Sequence, residues 1–194
     1  GILNKEKGLL PPKAVLSHVC VVQNPGYHKL LVISDIAVIP APDLKQKQAM
    51  IGYVANTARA LGVEKPKVAM ITATEQMLPG MPACVEAAML AKMSDRGQIA
   101  GCVVDGPLAL DVALCKEAAE IKKLKSEVAG DADCLVFPNI ESANVFYKVS
   151  GHFCPGVKMA AMVAGAKAPC VLSSRADSTE VKLNSIALAA LTAK

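Results

Sequence analysis

Short apolar runs rich in β-branched residues alternate along this chain with segments whose apolar residues recur at helical spacing, and that alternation constrains the fold most. Residues 15–22 (VLSHVCVV) and 30–39 (LLVISDIAVI) read as two strands joined through Asn24-Pro25-Gly26, a turn signal. Helical period follows: Ile51, Val54, Ala55, Ala58 and Leu61 share a face, with Pro42-Asp43 at the start and Gly62 at the stop. KVAMITA (67–73) is the next strand, and Val85, Ala88, Met89, Lys92 and Met93 form a second helical stripe. AGCVV (100–104) reads as strand, 108–123 as helix, CLVF (134–137) as strand, and the segment after Asn139 as helix. Residues 159–163 and 169–172 are short strands. A closing helix spans 178–193, its start marked by the capping-box pattern Asp177-x-x-Glu180. Strand and helix in alternation predict an α/β fold, a layered αβα sandwich with a mixed, mostly parallel sheet. The antiparallel-looking pair within 15–39 supplies the mixed part.

Composition narrows the function classes. Apolar residues make up 53% of the 194 residues and charged ones 20%, and mean hydropathy is +0.37. That much apolar side chain offsets the entropy of folding, which excludes a disordered chain. The longest stretch without a charged residue runs from Ala14 to His28 and contains Pro25-Gly26. It is too short for a spanning helix, so no membrane partner is expected. Three Tyr, three Phe and no Trp give no stacking surface, and a net charge of +4 is too mild for a nucleic-acid footprint. Nucleic acid is therefore not an expected partner. Seven cysteines without a C-x-x-C pair, three of them (Cys20, Cys102, Cys134) in apolar runs, imply reduced, mostly buried thiols in a reducing compartment, hence a cytoplasmic setting. His18, His28 and His152 lack ligand-like spacing, so no metal is expected. There is no signal peptide, and the chain opens on Gly1 with no initiator Met, which implies a processed or trimmed start.

No P-loop, G-x-G-x-x-G, G-x-S-x-G or H-E-x-x-H motif is present. Candidate chemistry therefore rests on polar residues at the carboxyl ends of strands, where open α/β sheets bind ligands. These are Asp35, Asp105 before Gly106-Pro107, Asn139 and Asn144 after CLVF, and Ser173-Ser174-Arg175 after PCVL. The last group joins hydroxyls, a guanidinium and the backbone amides of a helix start, a workable anion site. A capped helix with a surface arginine explains the same residues. Asp105 is as well suited to a turn, and Asn139 to a helix cap. Lys148, four residues beyond Asn144, shares its helix face.

Five strings in order are more specific: KMSDRGQI (92–99), VDGPLALD (104–111), SEVAGDAD (126–133), FPNIESANVFYK (137–148) and GAKAPCVLSSRADS (165–178). Together they resemble the phosphate acetyl/butyryltransferase family, with the K-A-P and S-R-A-D-S wording closer to its butyryl branch. The resemblance implies an isocitrate/isopropylmalate dehydrogenase-like architecture with the active site between two domains, and it implies that this sequence corresponds to the C-terminal two-thirds. Residues 1–14 would then be a remnant of an outer domain, 15–148 the inner α/β domain and 149–194 the C-terminal part of the outer one. It implies reversible acyl transfer between CoA and inorganic phosphate, with CoA as substrate, no cofactor, and a homodimer. Ser174 and Arg175 match the family's Ser-Arg pair, and Asn144 and Lys148 match its cleft residues. The family's acetyl branch carries an Asp six residues after that Arg, where this chain has Val181. Glu180 is the expected base, with Asp177 the other candidate. Two competing readings stand beside this one: a same-fold metal- and NAD-dependent dehydrogenase, and a non-catalytic truncated fragment.

Overall fold

The computed structural model describes residues 8–12 and 14–193. The expected segment 1–14 lies partly outside them. Strands β1 (Ser17–Gln23), β2 (Leu30–Ser34), β3 (Lys67–Ile71), β4 (Val103–Leu108), β5 (Cys134–Val136), β6 (Lys158–Ala164) and β7 (Cys170–Val171) form one sheet in the order β4-β3-β5-β2-β1-β6-β7. β2, β3, β4 and β5 are parallel, and β1 is antiparallel to both of its neighbours, β2 and β6. β6 therefore runs with β2, and β7 turns back against it. The sheet is mixed and mostly parallel in direction, as the alternating pattern predicts.

Successive residues of each strand feed opposite layers. Val19, Val32, Val68 and Val136 pack toward α1 (Leu44–Ala60), α2 (Pro82–Asp95) and α6 (Thr179–Thr192). Cys20, Ile33, Ala69 and Leu135 pack toward α3 (Leu110–Leu114), α4 (Lys116–Ile121) and α5 (Ile140–Phe153). Ile33 and Leu135 are fully buried, each worth about 1.5–3 kcal/mol of apolar transfer.

Several local expectations shift for visible reasons. The strand expected over 30–39 stops at Ser34, because Asp35 Oδ1 accepts the Ala37 and Val38 amides at 2.8 Å each and turns the chain out of the sheet. The stripe on α2 is displaced: Cys84, Ala87 and Leu90 are buried, whereas Val85 and Met89 face outward. The helix expected over 108–123 is two short helices, α3 and α4, meeting at Cys115. Residues 148 and 149, where the domain boundary is expected, lie in α5. Beyond α5, β6 pairs with β1 at seven positions.

Candidate active site

At the carboxyl end of β2, α5, the start of β1 and the loop after β7 line a half-open cavity of about 280 Å³. Each wall is held by a specific contact. Asp35 is buried and accepts four hydrogen bonds, from the Ser17 hydroxyl and His18 N–H (Oδ2, 2.9 Å each) and from the Ala37 and Val38 amides. The turn that it fixes presents Ile36 O, which accepts the Asn144 amide at 3.0 Å. Asn144 is thereby locked on the inner face of α5, with Tyr147 and Lys148 beside it on the lining.

The opposite wall is residues 172–177, which have no regular secondary structure. Ser174 N–H donates to Asp177 Oδ2 at 2.6 Å, and Asp177 N–H returns to Ser174 O at 3.1 Å. The Tyr147 hydroxyl donates to both Asp177 oxygens, at 3.2 and 3.3 Å. Burial first, then the neighbouring Cys20 and Asp177, push the Tyr147 phenol above its ordinary value and keep it a donor. His18 Nε2 lies 2.8 Å from Leu172 O. A carbonyl can only accept, so Nε2 carries the proton and Nδ1 keeps its lone pair. That Nδ1 is buried without a partner among the described residues. Burial, the largest influence, holds the His18 imidazole below 6.5, outweighing its bond to Leu172 and the negative charges of Asp35 and Asp177.

Of the expected site residues, the fold brings Asn144, Lys148 and Ser174 to this cavity. Arg175 follows Ser174 on the exposed side of the loop and makes no ion pair among the described residues. Three others lie elsewhere. Glu180 is exposed and pairs with Lys158 at 3.3 Å, outside the lining. Asn139 caps α5, accepting Ser142 N–H at 2.9 Å. Asp105 lies inside β4, at the far edge of the sheet, because that strand begins three residues later than AGCVV suggests; its Oδ1 accepts Gly106 N–H at 2.8 Å.

The D-G-P string is a packing device. A Cβ on Gly106 would stand 2.6 Å from Met70 Cβ, so only glycine lets β4 lie against β3. The S-E-V-A-G string acts similarly: Gly130, at φ +76°, would bring a Cβ within 2.5 Å of Lys116 Cα. The expected capping box at Asp177 is corrected too. Ser178 caps α6 by accepting Val181 N–H at 3.3 Å, which frees Asp177 for the cavity wall.

His18 and Tyr147 are the residues that sequence pattern misses as site residues. Tyr147 sits among the helix residues of FPNIESANVFYK (137–148), and His18 is a polar residue in a buried strand, a signal in principle. Among the described residues no group of three or more His, Cys, Asp and Glu is arranged to hold a metal ion.

Residues 3–190 match the phosphate acetyl/butaryl transferase family. The chain belongs to this family. It is 51% identical over 192 residues to the phosphate butyryltransferase of Clostridium acetobutylicum, covering 99% of this chain and 63% of that protein. It is 46% identical over 189 residues to the phosphate acetyltransferase of Thermotoga maritima, covering 97% of this chain and 64% of that protein. Its structure matches that of a branched-chain phosphotransacylase from Enterococcus faecalis with a TM-score of 0.87 at 34% identity, over 97% of this chain and 67% of that one. The chain thus spans a little under two-thirds of the length of these curated relatives.

Proposed function

We propose that the full protein carrying this chain is a phosphate acyltransferase of the butyryl type, acyl-CoA plus phosphate giving acyl phosphate plus CoA. The observation that carries the reading is the cavity that gathers Ser174, Lys148, Asn144 and Asp177, with Arg175 next to it, in a chain of this family. The Ser174 hydroxyl, the Arg175 fork and the Lys148 ammonium suit the oxygens of phosphate. Phosphate oxygen attacks the thioester carbonyl, the C–S bond breaks, and negative charge passes through the carbonyl oxygen to the leaving thiolate.

In reverse, a carboxylate takes the CoA thiol proton as sulfur attacks the acyl phosphate. We assign that role to Asp177 in preference to Glu180, because Asp177 lines the cavity while Glu180 is engaged with Lys158 outside it. Tyr147, donating to both oxygens, aims the carboxylate. CoA is a substrate in this scheme, and no cofactor takes part.

Several finer points belong to the same reading. The architecture is isocitrate/isopropylmalate dehydrogenase-like. An inner domain at 15–148 and outer segments at 1–14 and 149–194 belong to the same reading, and the lining of this cavity comes from both sides of residue 148. The protein is cytoplasmic. It is a homodimer, and exposed apolar stripes on α5 (Val145, Val149 and Phe153) and α6 (Leu183, Ile186 and Leu191) support a covered face.

The test is thiol release from butyryl-CoA by the full-length protein with and without inorganic phosphate. The reading requires phosphate-dependent release; release at background in both defeats it.

A further inference from the structure

We infer that His18 is a positioning residue: its imidazole registers the Ser174–Arg175 loop against the buried Asp35 turn. The inference rests on the acyltransferase reading only for its kinetic part.

β7 is two residues long and pairs with β6 only through Val171 and Cys170, so the sheet's hydrogen bonding ends before Leu172. The next backbone acceptor, Leu172 O, is taken by a side chain 154 residues earlier in the sequence, the His18 Nε2–H. The ring is itself anchored, because the His18 backbone N–H donates to Asp35 Oδ2. The same carboxylate holds the turn whose Ile36 O receives Asn144. Both walls of the cavity are therefore referenced to one buried group, the α5 wall through Asn144 and the loop wall through His18.

The tie also explains a costly feature. A buried Nδ1 without a partner is unfavourable, and a residue serving packing alone would be as well satisfied by leucine. The other nitrogen, bonded to Leu172 O, gives the ring a use that leucine lacks. The charged and titratable groups around it are Asp35 beyond β2, Asp177 in the loop, Tyr147 and Lys148 on α5, and Cys20 on its own strand.

Two variants of the full-length protein separate positioning from packing. His18→Leu fills the space without a donor, and His18→Gln keeps an N–H of similar reach that does not titrate. The readouts are hydrogen–deuterium exchange of residues 172–177, which needs no turnover, and the phosphate KM against kcat. His18→Leu should raise exchange in that loop about tenfold while β2 and β5 stay protected, and raise the phosphate KM about tenfold with kcat changed less than about threefold. His18→Gln should restore most of both. Loop exchange in His18→Leu equal to wild type overturns the inference. So do an increase spread equally over β2 and β5, and a His18→Gln variant no better than His18→Leu. A wild-type protein silent toward butyryl-CoA and phosphate defeats the activity reading alone, and the exchange comparison then decides the role of His18.

Discussion

The two ends of β2 carry two polar clusters that differ in one respect. Before the strand, Asp131 accepts from Lys29 (2.7 Å), Lys67 (2.6 Å) and His28 (2.9 Å), and Asp133 accepts from Lys29 at 3.0 Å. These contacts close the amino ends of β2, β3 and β5, and each charge has its opposite. Burial works to raise the Asp131 carboxyl, but the hydrogen bonds from Lys29, Lys67 and His28 win and hold it well below the usual carboxylate range. Past the strand, the cluster is held chiefly by backbone groups and by Tyr147. Lys148 and Arg175 have no carboxylate partner among the described residues, and His18 keeps an unused lone pair. A cluster whose charges cancel internally stabilises the fold. One that leaves a lysine such as Lys148 on a cavity without a carboxylate partner has capacity for an anion.

Substitutions should separate the two ends sharply. Asp177→Asn removes the proposed base while keeping an acceptor for Tyr147, and kcat for CoA consumption from butyryl phosphate should fall by about 10²- to 10⁴-fold, measured by thiol disappearance. Arg175→Ala should lose phosphate-dependent thiol release by about 10²-fold or more, with the phosphate KM raised; lysine should restore only part, lacking the bidentate fork. At the other end, Asp131→Ala should lower unfolding free energy by about 1–2 kcal/mol after solvent screening and leave kcat unchanged, by denaturant titration beside kinetics.

The smallest effect is in pH. Both depressed groups make stability rise with pH, because the unfolded chain binds the proton more readily. For His18 the contribution is complete above 6.5 and is lost as pH falls from there through the lower folded value. For Asp131 it is complete above about 3.8 and is lost only below that. Denaturation midpoints across pH should lose the upper step in His18→Gln and keep the lower one.

The same contrast marks how far sequence reading reached. Strand and helix order was legible because burial writes its period into residues such as Val19, Val21 and Val32 and the face Met50, Ile51, Val54. Boundaries slipped where a side chain captured the backbone, as Asp35 does after Ser34. The family strings name Asn144, Lys148 and Ser174, which the fold brings to one cavity, while Asp105 shares a string whose glycine serves packing. The place of Asp177 on the cavity wall was obscured by the capping pattern, since Asp and Ser both cap and only the fold decides that Ser178 does so. The bond from His18 to Leu172 joins residues 154 apart, and no local pattern encodes it.

If anion handling belongs to the cavity end and not to the paired end, the two ends should respond differently to the loss of a lysine. Lysines at the two ends test it directly: Lys148→Ala and Lys67→Ala, each in the full-length protein, compared by phosphate-dependent CoA release from butyryl-CoA. The phosphate KM should rise about tenfold or more in Lys148→Ala, and kinetics should be unchanged in Lys67→Ala. Equal kinetics in the two variants, or a loss confined to Lys67→Ala, would contradict it.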